Sequence, residues 1–321
     1  MNSRPPLQLA TTSCALCGAD QGEACARGTD FEYDTTDQTF AFIRCEVCGH
    51  QYLNPRPATS EMGRIYPSDY YSFTDTTHAL VARFQRLWES RKVKLYRRFI
   101  GEGERHLLDV GCGDGRLLKL LRDFGHPDWK TVGLEFDEAA VAVCRDMGFE
   151  AHAKRVEDFS QEKSQQGRFD AVVMLQLIEH VEDPSLICER VHALLKDDGI
   201  FIIETPNLAG LDYRLFKGRW WGHYHFPRHW NLFSRERLEY MMTEHDFEPL
   251  AHENLISTSA WIISFHNFFK DRGWPEFVWR FFSYQNPLLL GLAILVDVTR
   301  VRLGLETSNQ RLIAQKRTRS A

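Results

Sequence analysis

The chain has 321 residues, 43% of them hydrophobic, and a formal net charge of −5. That length suits more than one domain and a sizeable core, and it excludes a small disulfide-stapled scaffold, since only 8 residues are cysteine. The mild acidity gives the chain as a whole no attraction for nucleic acid or anionic lipid.

Residues 1–12 read as a polar, proline-containing tail without an apolar targeting core, so a cytoplasmic chain is expected. Cys14-Ala-Leu-Cys17-Gly and Cys45-Glu-Val-Cys48-Gly then form two matching knuckles. A Cys-x2-Cys-Gly turn aims backbone amides at sulfur, and two such turns supply four thiolates in the tetrahedral set that structural zinc requires. The alternative is buried or redox-active cysteine without metal. The 27 residues between Cys17 and Cys45 leave room for a hairpin insertion that contains Cys25. A ribbon of this kind, 1–57, has too little core to fold alone, so metal would contribute much of its stability.

Residues 58–104 read as a helical connector or lid, with Phe84, Leu87, Trp88, Leu95 and Phe99 near the helical period and Gly101 and Gly103 as the stop. From 105 to 321, short apolar runs alternate with helical patterns, which argues for an α/β domain with a mostly parallel sheet. The first run, 106–110, leads into Gly111-Cys-Gly-Asp-Gly115, and Leu117, Leu118, Leu120 and Leu121 follow at helical spacing. Strand, glycine turn and helix make a mononucleotide-type site. No Lys-Ser/Thr follows the turn, and Asp109 and Asp114 would repel a pyrophosphate; they suit a ligand carrying positive charge. Val141, Cys144 and Met147 share a helix face that Gly148 ends. Asp183-Pro184 is an N-cap and first-turn pair for a helix through Leu195, Ile200 to Glu204 reads as a strand, and Ser234 caps a further helix. A strand near 247–253, helices over 258–300 and a last strand at 309–315 complete the pattern. The longest apolar run, 287–296, is cut by Asp297. It falls short of the roughly 20 residues of a bilayer span, so no transmembrane segment is expected, and peripheral membrane contact through 287–298 is one use for such a helix.

Leu-Leu-Asp-Val-Gly-Cys-Gly-Asp-Gly at 107–115 resembles the first motif of class I S-adenosylmethionine (SAM)-dependent methyltransferases. Four more blocks follow in the family's order, at 132–137, 156–159, 169–180 and 194–206, so the resemblance covers about residues 105–250. It implies a Rossmann-like seven-stranded sheet with an antiparallel last strand, and SAM as methyl donor. It places Asp109, Gly111, Cys112, Gly113 and Gly115 at the donor, Glu135 on the ribose hydroxyls, Phe136 on the adenine face, Asp158 on the adenine amino group, Phe159 at its edge, and Gln176 beside it. The cysteine ribbon, with Cys14, Cys17, Cys45 and Cys48 on zinc, resembles the N-terminal extension of sugar C-methyltransferases and related enzymes.

For the acceptor, Glu179-His180 follows the fourth strand and resembles the end of a Glu-x-x-Glu-His loop of ubiquinone-pathway O-methyltransferases, where acids and histidine can hold a divalent metal. Gln176 stands in place of the first acid, which makes a poorer ligand for a hard cation. His180 reads as a base, a substrate contact or a structural hydrogen-bonder. The segment 220–233 interleaves His223, His225 and His229, with Arg219 and Arg228, among aromatic rings. His229, in a Pro-x-His-(x3)-Phe element similar to one found in these families, is the first candidate for a base. Catalytic candidates are therefore His229, His180 and Glu179. The expected function is methyl transfer to a small molecule: a sugar nucleotide, glycan or lipid-linked intermediate. The alternatives are a nucleic-acid methyltransferase gripping RNA or DNA with its ribbon, and a silent SAM-binding scaffold. No exocyclic-amine or Pro-Cys motif is present, and the ribbon is not conspicuously basic, which disfavours nucleic acid.

Overall fold

A computed structural model describes residues 4–66, 79–283 and 285–318, with side chains omitted over 79–88. Phe84, Leu87, Trp88 and the 67–71 tyrosine segment therefore lie outside what is described.

Seven strands form the central sheet: β1 (Arg105–Val110), β2 (Trp129–Glu135), β3 (Glu150–Ala153), β4 (Phe169–Leu175), β5 (Leu195–Pro206), β6 (Phe247–Leu255) and β7 (Asn309–Lys316). Their order across the sheet is 3-2-1-4-5-7-6, and β7 runs antiparallel to both its neighbours. The first five strands are parallel, as the alternation of apolar runs and helices requires. The expected fold is the one observed. The strand expected at Ile200 to Glu204 is longer, because Leu195 already pairs with Phe169 before an irregularity that holds Asp198 in a left-handed conformation, φ 61°.

Side chains alternate between the two faces of the sheet. Leu108, Val110, Val172, Met174, Phe201 and Ile203 point to one face and pack with Ile187, Val191 and Met242. Those come from helices Pro184–Leu194 and Arg235–Glu244, whose N-caps are the Asp183 carboxylate and the Ser234 hydroxyl. Leu107, Ala171, Val173, Ile200, Ile202 and Ile313 face the other way, against Val93 and Tyr96 of helix Ala79–Ile100 and Leu117, Leu120 and Leu121 of helix Arg116–Phe124. Gly101 ends the long helix in the left-handed region, its amide on the Arg97 carbonyl.

The N-terminal segment builds a second sheet of four strands, in the order Asn231–Leu232, Gln51–Leu53, Phe40–Cys45, Gly22–Gly28. Its hairpin, Gly22–Gly28 with Phe40–Cys45, is the insertion expected between the knuckles. Its outermost strand, however, comes from the segment after β5. The ribbon drawn at 1–57 thus shares a sheet and a core, with Phe40, Phe42, Leu53, Trp221, Phe226 and Trp230, with the 220–233 loop.

Candidate active site

The turn after β1 places Gly111, Gly113 and Gly115 at φ 75°, 51° and 80°, a region that favours glycine. A Cβ on Gly111 would also lie 2.9 Å from Leu177 Cδ2, so this turn and the loop after β4 are in contact. Glu135, at the end of β2, faces the turn: its Oε2 accepts the Gly113 amide at 3.2 Å and its Oε1 accepts the Phe136 amide at 2.8 Å. Phe136 is 78% exposed beside it, an open ring face. Asp109 is buried, and among the described residues no donor bonds its carboxyl. Burial pushes it up to about 7, with the Lys92 ammonium opposing and the Glu135 charge adding to the rise. Burial makes the charged form of this carboxyl costly, and a cationic ligand group beside it would favour that form. These residues fit a donor carrying an ammonium, a ribose and an adenine.

The other donor candidates divide. Asp158 is exposed on the short helix Val156–Phe159, and Gln176 is exposed at the end of β4, its amide on Asn309 Oδ1 at 3.0 Å. Phe159 departs from expectation: it is fully buried in the core beside Val156 and Phe169 and has no surface to offer adenine. Cys112 lies under the turn, its Sγ 4.0 Å from Cys144 Sγ, and burial drives its thiol well up; it packs rather than reacts.

The acceptor candidates do converge. One ligand atom each from Glu179, His180 and His229 lies within 4.8 Å of the others, and the His180 and His229 rings are 4.6 Å apart. His229 Nδ1 is 2.8 Å from the His223 carbonyl. A carbonyl only accepts, so Nδ1 carries the proton and Nε2 holds the lone pair. The same logic applies to His180, whose Nδ1 is 3.1 Å from the Arg228 carbonyl and 2.9 Å from the Tyr66 hydroxyl. Burial lowers His180 to about 3, with charge on His225 adding to the shift, and it holds His229 well below the usual imidazole range. Both rings are neutral proton acceptors. Glu179 is fully buried, accepts the Thr205 hydroxyl at 2.9 Å, and is raised by burial to about 8, so it is protonated at neutral pH. One carboxylate and two nitrogens are a poor set for a hard divalent cation, though a set that a transition metal accepts.

Several neighbours carry no sequence signal of their own. The hairpin connection brings Asp30 and Glu32 to the cluster. Asp30 holds Arg228 with two bonds of 2.8 and 3.0 Å, both side chains fully buried, and Glu32 Oε1 is 2.7 Å from His225 Nδ1. His223 Nε2 bonds the Ser257 hydroxyl at 2.7 Å. Arg219, for its part, is bound to Asp271 through two bonds. Both arginines that the sequence offers to a phosphate are therefore committed to protein carboxylates.

At the ribbon, Cys14 and Cys48 sulfurs are 3.5 Å apart, as are those of Cys17 and Cys45, and all four lie within 4.8 Å. A tetrahedron with zinc–sulfur bonds of about 2.3 Å has edges of about 3.8 Å. Gly18 and Gly49 close the knuckles at φ 72° and 77°. Against burial, the amides of Cys48 and Val47 bring the Cys45 thiol down to about 7. The donor set fits a structural metal.

Comparison with known proteins bears on the family and the fold. The methyltransferase-domain family matches residues 76–252, more than half of the chain. Among curated relatives, a ubiquinone biosynthesis O-methyltransferase of Pseudomonas paraeruginosa is 30% identical over 105 residues, 32% of this chain and 44% of the relative. An S-adenosylmethionine-dependent methyltransferase of Mycolicibacterium smegmatis is 29% identical over 128 residues, 38% and 47% of the two chains. The chain thus spans less than half the length of these relatives. In fold it is similar to the phosphoethanolamine N-methyltransferase 2 of Haemonchus contortus in complex with SAM, with TM-score 0.50, 14% identity, and coverage of 92% of this chain and 69% of that one. It is also similar to a chain from the complex of the Haloferax volcanii Trm112 activator with a methyltransferase, with TM-score 0.51, 14% identity, and coverage of 75% and 94%. With a Rossmann-like sheet in the order 3-2-1-4-5-7-6 and an acidic glycine turn at its centre, the chain belongs to the methyltransferase-domain family.

Proposed function

We propose that the chain methylates a hydroxyl or carbon acid on a small molecule of the glycan, sugar-nucleotide or lipid-linked class, with His229 as base, and carries a structural zinc on Cys14, Cys17, Cys45 and Cys48. The observation that supports this best is the pair of neutral imidazoles, each with Nδ1 tied to a backbone carbonyl: His180 in the loop that touches the glycine turn, and His229 in the loop hydrogen-bonded to that one at Glu179. Bound SAM supplies an already activated methyl group. The protein then needs to align the acceptor and take its proton. Asp109 and Glu135 hold the donor's charged and ribose ends, and Phe136 its adenine. His229 Nε2 takes the acceptor proton as the acceptor lone pair forms its bond to the methyl carbon and the carbon–sulfur bond breaks. His180, held by Tyr66, orients the acceptor, and Glu179, fully buried, acts behind it as a positioning residue that accepts the Thr205 hydroxyl.

Because Arg219 and Arg228 are committed to Asp271 and Asp30, recognition in this loop rests on neutral groups. That favours a glycan or lipid-linked hydroxyl over a free sugar nucleotide. The nucleic-acid reading loses ground for a related reason: the ribbon is merged into the acceptor loop through a shared sheet instead of standing free as a grip.

The test is a panel of nucleotide sugars, glycans and lipid-linked sugars incubated with isotopically labelled SAM and read by mass spectrometry. One class should gain a labelled methyl. His229→Ala should then lower turnover by about 10²–10⁴ with SAM affinity retained, and His180→Ala should mainly raise KM. Wild-type turnover in His229→Ala would move the base elsewhere.

A further inference from the structure

The C-terminal helices carry an apolar surface that the methyl-transfer site does not use. Helix Thr258–Asp271 packs on the acceptor loop, where the Gly222 amide donates to the Ser264 hydroxyl. Two further helices, Glu276–Phe281 and Pro287–Arg302, each pack against it. Their large apolar residues face outward: Phe277 and Leu288 are 77% and 79% exposed, Leu295 62% and Leu292 59%. Leu288, Leu292 and Leu295 recur at helical spacing and form one stripe, and Phe277 and Phe281 do the same one helix earlier. Scattered exposed leucines are ordinary, but a stripe of this kind marks a contact surface. The inner face of the longer helix is thin. Only Ala293 and Asp297 are buried, and Asp297 pins the helix by accepting the Ser257 amide at 2.6 Å and Trp261 Nε1 at 2.9 Å.

We propose that Trp274, Phe277, Phe281, Leu288, Leu292 and Leu295 dock this face on an anionic phospholipid bilayer. The Pro287–Arg302 helix is apolar around most of its circumference, with Ile294 and Val301 exposed as well as the leucines, and such a surface is stable only when covered by other apolar groups. The acids of this segment are spent: Asp271 on Arg219 and Trp220, Glu276 on Arg280, and Asp297 in the interior. Arg302 stays exposed and, among the described residues, no ion pair holds it, while Arg272, also exposed, lies over the Trp220 and Phe268 rings and adds its charge to that of Arg219 beside Asp271. The rim is therefore basic although the chain as a whole is acidic. Docking of a second copy by two-fold symmetry would bring these arginines toward their own copies without counter-charge; anionic headgroups supply it. The helix has 16 residues, about 24 Å in length, and among the described residues no helix is long and apolar enough to cross a membrane. It lies on the surface.

The docking does not depend on which histidine is the base. It does bear on the acceptor, because Ser257 joins the two regions: its amide is held by Asp297 and its hydroxyl by His223 of the acceptor loop. A bilayer under these helices would present lipid-borne groups beside that loop.

Flotation with vesicles tests this on the full chain. Vesicles of phosphatidylcholine containing about one third phosphatidylglycerol should carry the protein upward, and phosphatidylcholine alone should carry several-fold less. The triple variant Phe277→Asp, Leu288→Asp, Leu292→Asp should lose binding at least about tenfold and still bind SAM in calorimetry. If that variant fails to fold, Arg272→Glu with Arg302→Glu should abolish the preference for anionic vesicles with the apolar face intact. Wild-type protein that ignores both vesicle types, or a folded triple variant that floats as well as wild type, would overturn the proposal. So would a wild-type dimer that the triple variant converts to monomer, since a second copy would then own the face.

Discussion

Asp30 and Arg228 show how much a single buried pair can carry. Their side chains are fully buried and joined by two short bonds, and Arg228 also donates from Nε to the Ile65 carbonyl at 2.6 Å. The Arg228 carbonyl sets the tautomer of His180. Removing one charge from such a pair leaves the other desolvated, a loss of about 3–5 kcal/mol. Asp30→Asn should therefore lower the free energy of unfolding by about that amount in urea titrations and also weaken acceptor turnover. A change under about 1 kcal/mol would mean the pair is screened. Nothing in the spacing of Asp30 marks it in the sequence, because its partner is 198 positions away. His229 was legible because it sits in a family-like element after β5. Phe159 lies in the core where a ligand contact was expected, because an aromatic at the end of a one-turn helix reads alike in sequence whether it faces a ligand or the core.

The ribbon and the acceptor loop behave as one element. Asn231 and Leu232 pair with Tyr52 and Gln51, and the Trp230 and Asn231 amides both donate to the Glu179 carbonyl, at 2.7 and 3.0 Å. Loss of metal should be felt at the acceptor site. Purified protein should hold one zinc per chain by elemental analysis, and Cys45→Ser should lose it, expose residues 13–57 to protease and lower turnover while SAM binding persists. Zinc-free protein made under reducing conditions, or a Cys45→Ser protein with full turnover, would contradict this. The sequence showed the central sheet well: the alternation of apolar runs and helical patterns marks a mostly parallel sheet, and the family resemblance implied its seven strands and antiparallel last strand. It did not show that the ribbon shares a sheet with the acceptor loop, because two-residue strands such as Asn231–Leu232 have no periodicity to detect. Nor did it show that the loop's arginines are neutralised, since their carboxylates come from distant segments.

At the scale of the whole molecule, buried titratable groups set a pH window. His180 and His223 are lowered by burial to about 3, His50 to about 4, and His229 also lies well below its usual range. In the unfolded chain each protonates near 6.5. Their contribution to stability is complete above that pH and is lost as pH falls toward the folded values. Asp109 and Glu179 act oppositely: raised by burial to about 7 and about 8, they contribute most below their unfolded values near 4, and that contribution is lost as pH rises through 7 to 8. Of the groups held furthest from their usual range, four histidines against two carboxyls leave a net uptake of about two protons on unfolding between about pH 4.5 and 6.5, and the shifts of His266, down, and of Asp212 and Asp297, up, oppose one another. Stability should peak near pH 6.5–7, falling steeply on the acid side and gently toward pH 8. Urea midpoints across this range check the shape; a flat profile from pH 5 to 7 would show that these histidines are hydrated.

The central claim is that the glycine turn, Asp109 and Glu135 form a SAM site. Calorimetric titration of SAM into wild-type protein and Glu135→Ala tests it most directly. Wild type should bind one SAM per chain, and the variant, without its charge-assisted bonds to ribose at about 1.5–3 kcal/mol each, should bind at least about tenfold more weakly. Wild-type protein that binds no SAM, or a Glu135→Ala protein with unchanged affinity, would contradict the claim.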